Sequence, residues 1–370
     1  MKVAIIHDYL VRLGGAERAL LALSEIWPEA PIYTLLYDSQ AVGRCFSPER
    51  VRTSFLQKFP GFLRRRYRWL LPLLPSAAES FDLRDFDLVI SSSSAFAKGI
   101  ILRPKTTHIC YCHNTARFLW DYYWPYLNEQ KLGGFIKLLA KIYLSYLRLW
   151  DRAAASRVDY FLANSQATAA RIKKYYGRPA KVIYPPARLP ESRRISETDK
   201  DSPDGYFLIV SQLVPYKKID VAVEAFNKLG WPLVIIGDGP QKKDLLEIAK
   251  PNVKILGWQS DGVVAEYLKN CLAFVFPGED DFGLAPVEAM GWGKPVLALN
   301  EGGAKEIVLP GLNGEFFVSP VPEILADGAR RLRENLANYS PLVIRKWAEK
   351  FSEERFKREI MDFVKRLSYN

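Results

Sequence analysis

The stretch VFPGEDDFGLAPVEAMGWGKPVLALNEGGAKEIV, residues 275–308, decides the fold of this chain. An apolar run (272–276) ends at a proline and a glycine, three acids follow, and a helix is predicted around 286–290. A second predicted strand, 295–299, ends in a pair of glycines. Strand, helix and strand in this order predict a βαβ unit in a parallel sheet covered by helices.

The loops of this unit offer a place for an anion and for a polyol. Ligands of open parallel sheets bind outside the carboxyl ends of the strands. The predicted helix begins after Gly283, where its first backbone N–H groups are available to anionic oxygens, and Glu288 inside the helix can accept hydrogen bonds from hydroxyls. We therefore predict a site for a phosphate and a polyol, against the alternative of a solvated acidic loop before a packed helix.

This block resembles the donor-sugar motif of the retaining nucleotide-sugar glycosyltransferases of the GT-B fold, family 4. That family has two glutamates separated by seven residues around an aromatic-glycine-hydrophobic turn, and the matching positions here are Asp280 and Glu288. The first glutamate is thus shortened to aspartate. The resemblance implies that Glu288 binds the ribose hydroxyls and that Asp280 contacts the donor sugar. The backbone along the sugar and diphosphate would come from Phe282, Gly283, Leu284 and Ala285.

Length and composition favour a folded protein of two domains. The chain has 370 residues, of which 49% are hydrophobic and 25% charged, and this excludes a disordered class. No run of about 20 apolar residues predicts a spanning helix, and residues 1–6 indicate a short strand rather than a signal peptide. The four cysteines have no metal-ligand spacing and indicate reduced cytosolic thiols, and with three histidines a zinc site is not expected.

The formal charge of +11 is concentrated in one segment, residues 50–74. Between Glu49 and Glu79 the chain has no acid, while seven lysines and arginines alternate with aromatic residues and leucines. Such a segment is typical of a contact with an anionic membrane surface. A nucleic-acid contact and a core-packed helix with solvated arginines are the alternatives. We predict the membrane contact and no nucleic acid.

The remaining pattern alternates strands with helices on both sides of a polar, proline-rich stretch. This stretch predicts an N-terminal domain over 1–186, a linker over 187–205, a C-terminal domain over 206–345, and a C-terminal helix over 346–370 that packs toward the first domain. The predicted strands are 3–6, 32–36, 88–91, 108–112, 160–163, 181–183, 206–210, 233–236 and 253–255. The predicted helices are 16–26, 134–156, 219–229, 241–250 and 263–270.

Other motifs follow predicted strands at the same kind of edge. Gly14 and Gly15 open the first helix after the first strand, and the resemblance implies that this glycine loop contacts the donor diphosphate. Lys217 and Lys218 stand at a helix N-terminus, where they oppose the helix dipole unless an anion compensates. The family commonly carries an arginine and a lysine on the donor phosphates here. Lys217 matches the lysine, whereas Gln212 takes the place of the arginine, and Lys218 and Arg117 are the two candidates to compensate for its loss.

His113 follows an apolar strand and matches the position of a histidine that faces the reaction centre in this family. A solitary histidine is otherwise more often structural. Asn164 and Ser165 match a further position of the family's site. The alternative to a role in the site is capping of the next helix.

Together these features predict an α/β protein of the GT-B fold, with two Rossmann-like doubly wound domains facing across a cleft and a C-terminal helix that crosses back to the first domain. The expected activity is retaining transfer of a hexose, plausibly mannose from GDP-mannose, to a lipid-linked glycan or similar acceptor. His113, Asp280 and Lys217 are the expected catalytic residues, and no metal or other cofactor is expected. The expected location is the cytoplasmic face of the membrane. A non-catalytic nucleotide-sugar-binding subunit and a sugar-nucleotide epimerase of the same fold are the alternatives.

Overall fold

The structure, a computed structural model, describes residues 1–130, 133–191 and 205–368. The chain forms two compact units. The N-terminal unit comprises Met1–Tyr184 together with Phe356–Asn370, and the C-terminal unit comprises Pro185–Arg355.

The N-terminal unit alternates strands and helices along the chain. Its strands are Val3–Leu10 (β1), Ile32–Tyr37 (β2), Val51–Thr53 (β3), Leu88–Ser93 (β4), Thr107–Cys112 (β5), Tyr160–Ala163 (β6) and Ala180–Val182 (β7). Its helices before the C-terminal unit are Gly15–Ile26 (α1), Ser39–Val42 (α2), Gly61–Arg65 (α3), Leu74–Glu79 (α4), Tyr123–Glu129 (α5), Gly134–Ser156 (α6) and Gln166–Tyr176 (α7).

These strands form a parallel sheet in the order β3-β2-β1-β4-β5-β6-β7. Ile5 in β1 lies opposite Ile32 in β2 and Ile90 in β4, so the centre of the sheet is apolar on adjacent strands. The strand order reverses between β1 and β4. At such a reversal the loops after the two strands diverge and leave room for a ligand at the carboxyl edge.

The C-terminal unit repeats this alternation. Its strands are Phe207–Val210 (β8), Leu233–Ile236 (β9), Val253–Gly257 (β10), Ala273–Phe276 (β11), Val296–Leu299 (β12) and Gly314–Phe317 (β13). Its helices are Ile219–Leu229 (α8), Lys242–Ile248 (α9), Asp261–Asn270 (α10), Leu284–Gly291 (α11), Ala304–Ile307 (α12), Pro322–Glu334 (α13) and Pro341–Ala348 (α14). The last helix, Glu353–Ser368 (α15), then leads into the N-terminal unit.

The strands of the C-terminal unit form a second parallel sheet, in the order β10-β9-β8-β11-β12-β13. The order reverses between β8 and β11. Helix α8 packs on this sheet through apolar side chains, and the rings of Phe207 in β8 and Phe226 in α8 meet edge to face at 5.0 Å. This is the doubly wound arrangement predicted from the block 275–308.

The C-terminal helix α15 completes the core of the N-terminal unit. Phe356, Ile360 and Val364 are buried in the same cluster as Ile5 and Tyr111 of the sheet. The ring of Phe356 meets Tyr111 edge to face at 5.3 Å. The prediction that this helix crosses back to the first domain is therefore confirmed.

The segment 50–74 is more broken than its sequence pattern suggests. It contains the short strand β3, which we did not predict, then helix α3 between the 3-10 turns Phe55–Lys58 and Tyr67–Leu73. Pro60 and Pro72 interrupt the backbone hydrogen bonding that a continuous helix needs. No helix among the described residues has both the length and the apolar character required to cross a membrane.

Candidate active site

The predicted site in the C-terminal unit lies where the order of its sheet reverses. Lys217 follows β8 and Asp280 follows β11, and the Lys217 ammonium donates to the Asp280 carboxylate. The side chain of Lys217 is 12% exposed and that of Asp280 is 28% exposed. Burial alone would lower the pKa of Lys217, but the charge and hydrogen bond of Asp280, together with the charges of Tyr216 and Asp281, outweigh it, and the pKa is raised from its ordinary value. This edge therefore holds a permanent positive charge beside a partly exposed acid.

Close backbone contacts set the positions of these two groups. A side-chain carbon added at Gly278 would lie 2.6 Å from the Lys217 Cα, so only glycine lets the loop after β11 approach the turn after β8. On the other side, the Gly303 N–H donates to the Asp280 carbonyl at 2.9 Å. The loops after β8, β11 and β12 consequently form one packed surface around the ion pair.

Helix α11 begins beside this surface. Its N-cap, Gly283, has a φ of +101°, a conformation that favours glycine, and an added Cβ would lie 2.9 Å from the Phe276 ring. Phe282 is buried, and its ring meets Phe351 edge to face at 5.4 Å. Glu288 is buried within α11, as predicted. Leu284 and Ala285, which form the first turn of the helix, remain partly exposed.

The remaining predicted residues of this unit lie in the turn after β8. Gln212 and Lys218 are both exposed. Lys218 is the N-cap of α8 with a φ of +53°, a left-handed conformation that few non-glycine residues adopt. Lys217 is thus the buried cation of the pair, and Lys218 presents its charge to solvent.

In the N-terminal unit, a chain of polar side chains surrounds His113. The His113 Nε2 lies 2.7 Å from the Ser92 hydroxyl, and the same hydroxyl lies 3.0 Å from the His7 Nδ1. The other ring nitrogen of His7 lies 3.5 Å from the Glu17 carboxylate. All four residues are buried. Because the serine has one hydroxyl proton, it donates to one imidazole and accepts from the other, which links the tautomers of the two histidines.

Glu17 also caps helix α1. Its second carboxylate oxygen accepts the Gly14 N–H at 2.8 Å, so this amide is engaged within the helix. Burial alone would raise the pKa of Glu17, but the hydrogen bond and charge of His7 outweigh it, and the pKa is lowered. A phosphate at the turn formed by Gly14 and Gly15 would therefore lie beside an ionised carboxylate.

Asp8 connects β1 to the loop after β4. Its two carboxylate oxygens accept the backbone N–H groups of residues 94–97, at distances from 2.5 to 3.0 Å. Asn164 donates to the His113 carbonyl at 3.0 Å, and Ser165 caps α7 by accepting from the Thr168 amide. The capping alternative for Ser165 is thus confirmed. Backbone hydrogen bonds from these side chains hold the loops at the edge that carries His113.

Burial has a consequence for the protonation of the histidines. Burial, and after it the nearby His7, lowers the pKa of His113 to about 3, and burial lowers the pKa of His108 to about 3. Both imidazoles are therefore neutral at physiological pH, and His113 can exchange hydrogen bonds with a ligand without carrying a charge.

Acidification should destabilise the N-terminal unit through these two histidines. Their folded pKa lies below the unfolded value, about 6.5, so the unfolded chain takes up more protons as the pH falls below that value. Between about pH 7.5 and about pH 5.5, we expect each histidine to remove about 1.4 kcal/mol from the free energy of unfolding. Urea unfolding at the two pH values measures the loss.

The variant His108→Gln provides the control, because it keeps a hydrogen-bonding side chain but cannot titrate. It should lose about half as much stability as the unsubstituted protein over the same interval. Equal losses in the two proteins would show that His108 is not a source of the pH dependence.

The sequence predicted the residues at each edge but not their partners. Lys217 and Asp280 were assigned separately to phosphate and sugar, whereas the structure pairs them. Glu17, His7 and Ser92 were not predicted as neighbours of His113. The one sequence signal for Glu17 was its place three residues after Gly14, the spacing of a capping box.

Two family models match the chain in succession. The model described as Glycosyltransferase Family 4 matches residues 13–189, and the model described as Glycosyl transferases group 1 matches residues 191–351. Each match covers most of one of the two units.

Individual relatives agree with these matches. The chain is 26% identical to the human alpha-1,3/1,6-mannosyltransferase ALG2, over 96% of this chain and 94% of that protein. It is 34% identical to an uncharacterized glycosyltransferase of Methanocaldococcus jannaschii over 112 residues, a match that spans 32% of that relative's length. The crystal structure of Anabaena HepE in complex with UDP-glucose superposes with a TM-score of 0.70 at 19% identity, over 99% of this chain and 100% of that one.

Two doubly wound parallel sheets and the superposition on HepE establish the GT-B fold. The chain belongs to the family 4 glycosyltransferases, and its general activity is glycosyl transfer.

Proposed function

We propose that this protein is a retaining hexosyltransferase that moves mannose from GDP-mannose to a lipid-linked glycan or similar acceptor. The observation that carries the proposal is the largely buried cation Lys217, held against Asp280 where the sheet order reverses and next to the start of α11. The mannosyltransferase named among the relatives supports the choice of sugar. UDP-glucose, the ligand named for the structural neighbour HepE, is the competing donor.

The chemical task is to stabilise the diphosphate as it leaves the anomeric carbon. A fixed positive charge and the N-terminal amides of a helix stabilise that charge without reorganising during the reaction. We assign this role to Lys217 and to the backbone of residues 282–285. Glu288 is assigned to the ribose hydroxyls. Since these groups supply the positive charge, we propose that transfer does not depend on a metal ion.

Retention of configuration follows from attack on the face that the diphosphate leaves. The bond from the anomeric carbon to the diphosphate oxygen breaks, the bond to the acceptor oxygen forms on the same face, and the acceptor proton passes to the departing diphosphate. Asp280 and His113 are assigned to the sugar hydroxyls, which they orient for this attack. His113 is suited to that role because it is neutral and its ring is held by Ser92.

We further propose that the protein works at the inner face of the membrane, with the basic segment 50–74 in contact with anionic lipid. Phe62 and Trp69 of this segment are exposed, and the Arg66 guanidinium stacks over the Trp69 ring at 4.9 Å. Exposed aromatic rings beside arginines are typical of contacts at the lipid interface.

Stabilisation by nucleotide sugars tests the donor assignment. We expect GDP-mannose to raise the melting temperature, with and without a divalent metal, and UDP-, ADP- and TDP-sugars to have little effect.

Glu288→Ala should reduce the shift because the ribose loses its acceptor. His113→Ala should keep most of the shift but slow transfer, by about a hundredfold, if the imidazole acts on the sugar in the transition state.

The remaining outcomes separate the alternatives. A shift without any sugar transfer would identify a nucleotide-sugar-binding subunit, and a new sugar epimer in place of a glycoside would identify an epimerase. Proton NMR of the first product formed reports the anomeric configuration and thereby tests retention. If neither substitution alters binding or transfer, the assigned site is wrong.

A further inference from the structure

Helix α6, Gly134–Ser156, carries two apolar faces, of which the core of the protein uses only one. Leu144, Leu147 and Ala154 are buried with the rest of the N-terminal unit. A second set of apolar side chains recurs at intervals of three and four residues and lies on the opposite side of the helix, 50% to 74% exposed. We call this set the α6 stripe: Phe135, Leu138, Leu139, Ile142, Tyr146 and Leu149.

An exposed stripe of this size requires a partner, because large side chains gain about 1.5–3 kcal/mol each when they leave water completely. The helix sequence indicates the chemistry of that partner. Its basic residues are Lys137, Lys141, Arg148 and Arg152, and its one acid is Asp151. Asp151 is buried against Lys98, so it adds no negative charge to the exposed surface.

Aromatic side chains lie beside the stripe. Trp124 of α5 is 64% exposed, and the Lys141 ammonium lies 5.7 Å from its ring. The Arg148 guanidinium stacks over the buried ring of Tyr123 at 4.7 Å. Apolar side chains flanked by an exposed indole ring and by basic residues are features that hold a helix in the headgroup region of a bilayer.

The stripe is also connected to the basic segment 50–74. The Tyr143 hydroxyl of α6 donates to the Leu71 carbonyl at 3.1 Å. Leu70 and Leu74 are buried in the same cluster as Leu144 and Leu147. Movement of the segment independently of α6 would break this shared core, so the helix that carries the stripe and the segment move together.

We propose that the α6 stripe inserts into the acyl region of an anionic membrane and is the main apolar anchor of the protein, while the segment 50–74 supplies electrostatic attraction. A second copy of the chain fits the surface less well. Any two-fold contact through α6 would bring two sets of basic side chains together without acids to neutralise them. An anionic bilayer both neutralises these charges and buries the stripe. The inference rests on the proposed membrane association and is independent of the donor assignment.

Flotation with vesicles of phosphatidylcholine alone or mixed with phosphatidylglycerol tests the proposal. The stripe variant carries Leu138→Ser, Ile142→Ser and Leu149→Ser, all at exposed positions. A control variant removes three exposed apolar side chains from the C-terminal unit, by Leu246→Ser, Val318→Ser and Leu342→Ser. A third variant, Arg65→Ser with Arg66→Ser, weakens the basic segment.

We expect the unsubstituted protein to float with the anionic vesicles. The stripe variant should bind these vesicles at least about tenfold more weakly. The control variant should bind as the unsubstituted protein does. The arginine variant should lose part of the electrostatic attraction to anionic lipid. The difference in its binding between anionic and neutral vesicles should therefore become smaller. Each variant should keep its thermal shift with the nucleotide sugar, which shows that it is folded and that the donor site is intact.

If the stripe variant bound anionic vesicles as well as the control variant does, the inference would be overturned. If only the arginine variant lost binding, membrane association would stand but the segment 50–74 would be its anchor. If the unsubstituted protein ignored vesicles and formed a dimer that the stripe substitutions dissociate, a second copy would be the partner. None of these three results would bear on the proposed donor site, which the thermal shift tests separately.

Discussion

Lys98→Met is expected to lower the free energy of unfolding of the N-terminal unit by about 3–5 kcal/mol. The Lys98 ammonium lies 2.5 Å from the Asp151 carboxylate, and each side chain is 1% exposed. Burial alone would lower the pKa of Lys98, but the charge and hydrogen bond of Asp151, with smaller effects of Cys112 and Cys110, outweigh it, and the pKa is raised. Methionine fills a similar volume but leaves the carboxylate buried without its opposite charge. Urea unfolding measures the effect.

Two further variants test whether the expected loss of stability comes from the burial of the ion pair. Arg84→Met breaks the exposed pair with Asp82, whose side chains are 75% and 62% exposed, and it should change the stability far less than Lys98→Met does. Removing both buried charges, by Lys98→Met with Asp151→Leu, should recover most of the lost stability. The Trp120 indole, which donates to Asp151 at 2.8 Å, would still lose its acceptor in the double variant. A loss below about 1 kcal/mol in Lys98→Met alone would contradict the argument.

Lys217→Met is expected to reduce the rate of sugar transfer by about a hundredfold to a thousandfold, the range found when one fixed group that stabilises a developing negative charge is removed. In the proposed reaction the charge on the diphosphate grows as the glycosidic bond opens. Lys217 is buried, paired and permanently charged before any ligand binds. Its effect should therefore appear mainly in kcat. Initial rates at saturating donor measure it.

The controls separate loss of this charge from loss of structure. Lys228→Met removes an exposed lysine of the same unit, paired with Glu323 on the surface, and should transfer at nearly the normal rate. Asp280→Asn keeps the ammonium, but it removes both the charged partner of Lys217 and a carboxylate that is assigned to the sugar hydroxyls. If Lys217→Met transferred within a few-fold of the normal rate, Lys217 would be a structural partner of Asp280 and nothing more.

Local patterns predicted the elements with strong periodicity. The observed bounds of Gly134–Ser156, Ile219–Leu229 and Leu233–Ile236 are those predicted. Ile219–Leu229 ends at Gly230, whose φ of +71° suits the position after a helix. The secondary structure of the segment 50–74 was harder to predict. Its apolar spacing indicates a face to bury, whereas its prolines divide the backbone into short turns.

Contacts between distant residues were not predictable in the same way. Lys217 and Asp280 are 63 residues apart, and His7 and Ser92 are 85 apart. Parallel strands bring such residues to one edge, but which side chains meet there depends on strand order and register. The α6 stripe shows the same limit. Helical spacing predicts that its leucines share a face, but only the packed structure reveals that the core takes the opposite one.

The place of α15 in the chain has a consequence for how the protein is made. The core of the N-terminal unit includes Phe356, Ile360 and Val364, which are translated after the whole C-terminal unit. The C-terminal unit, Pro185–Arg355, is complete in sequence before them. Domains usually fold in the order of their synthesis, but here the first unit lacks part of its core until α15 has been synthesised. The nascent chain would thus expose the apolar site that receives α15 while the C-terminal unit is made, and a stop codon shortly before Phe356 would damage the first unit rather than the second.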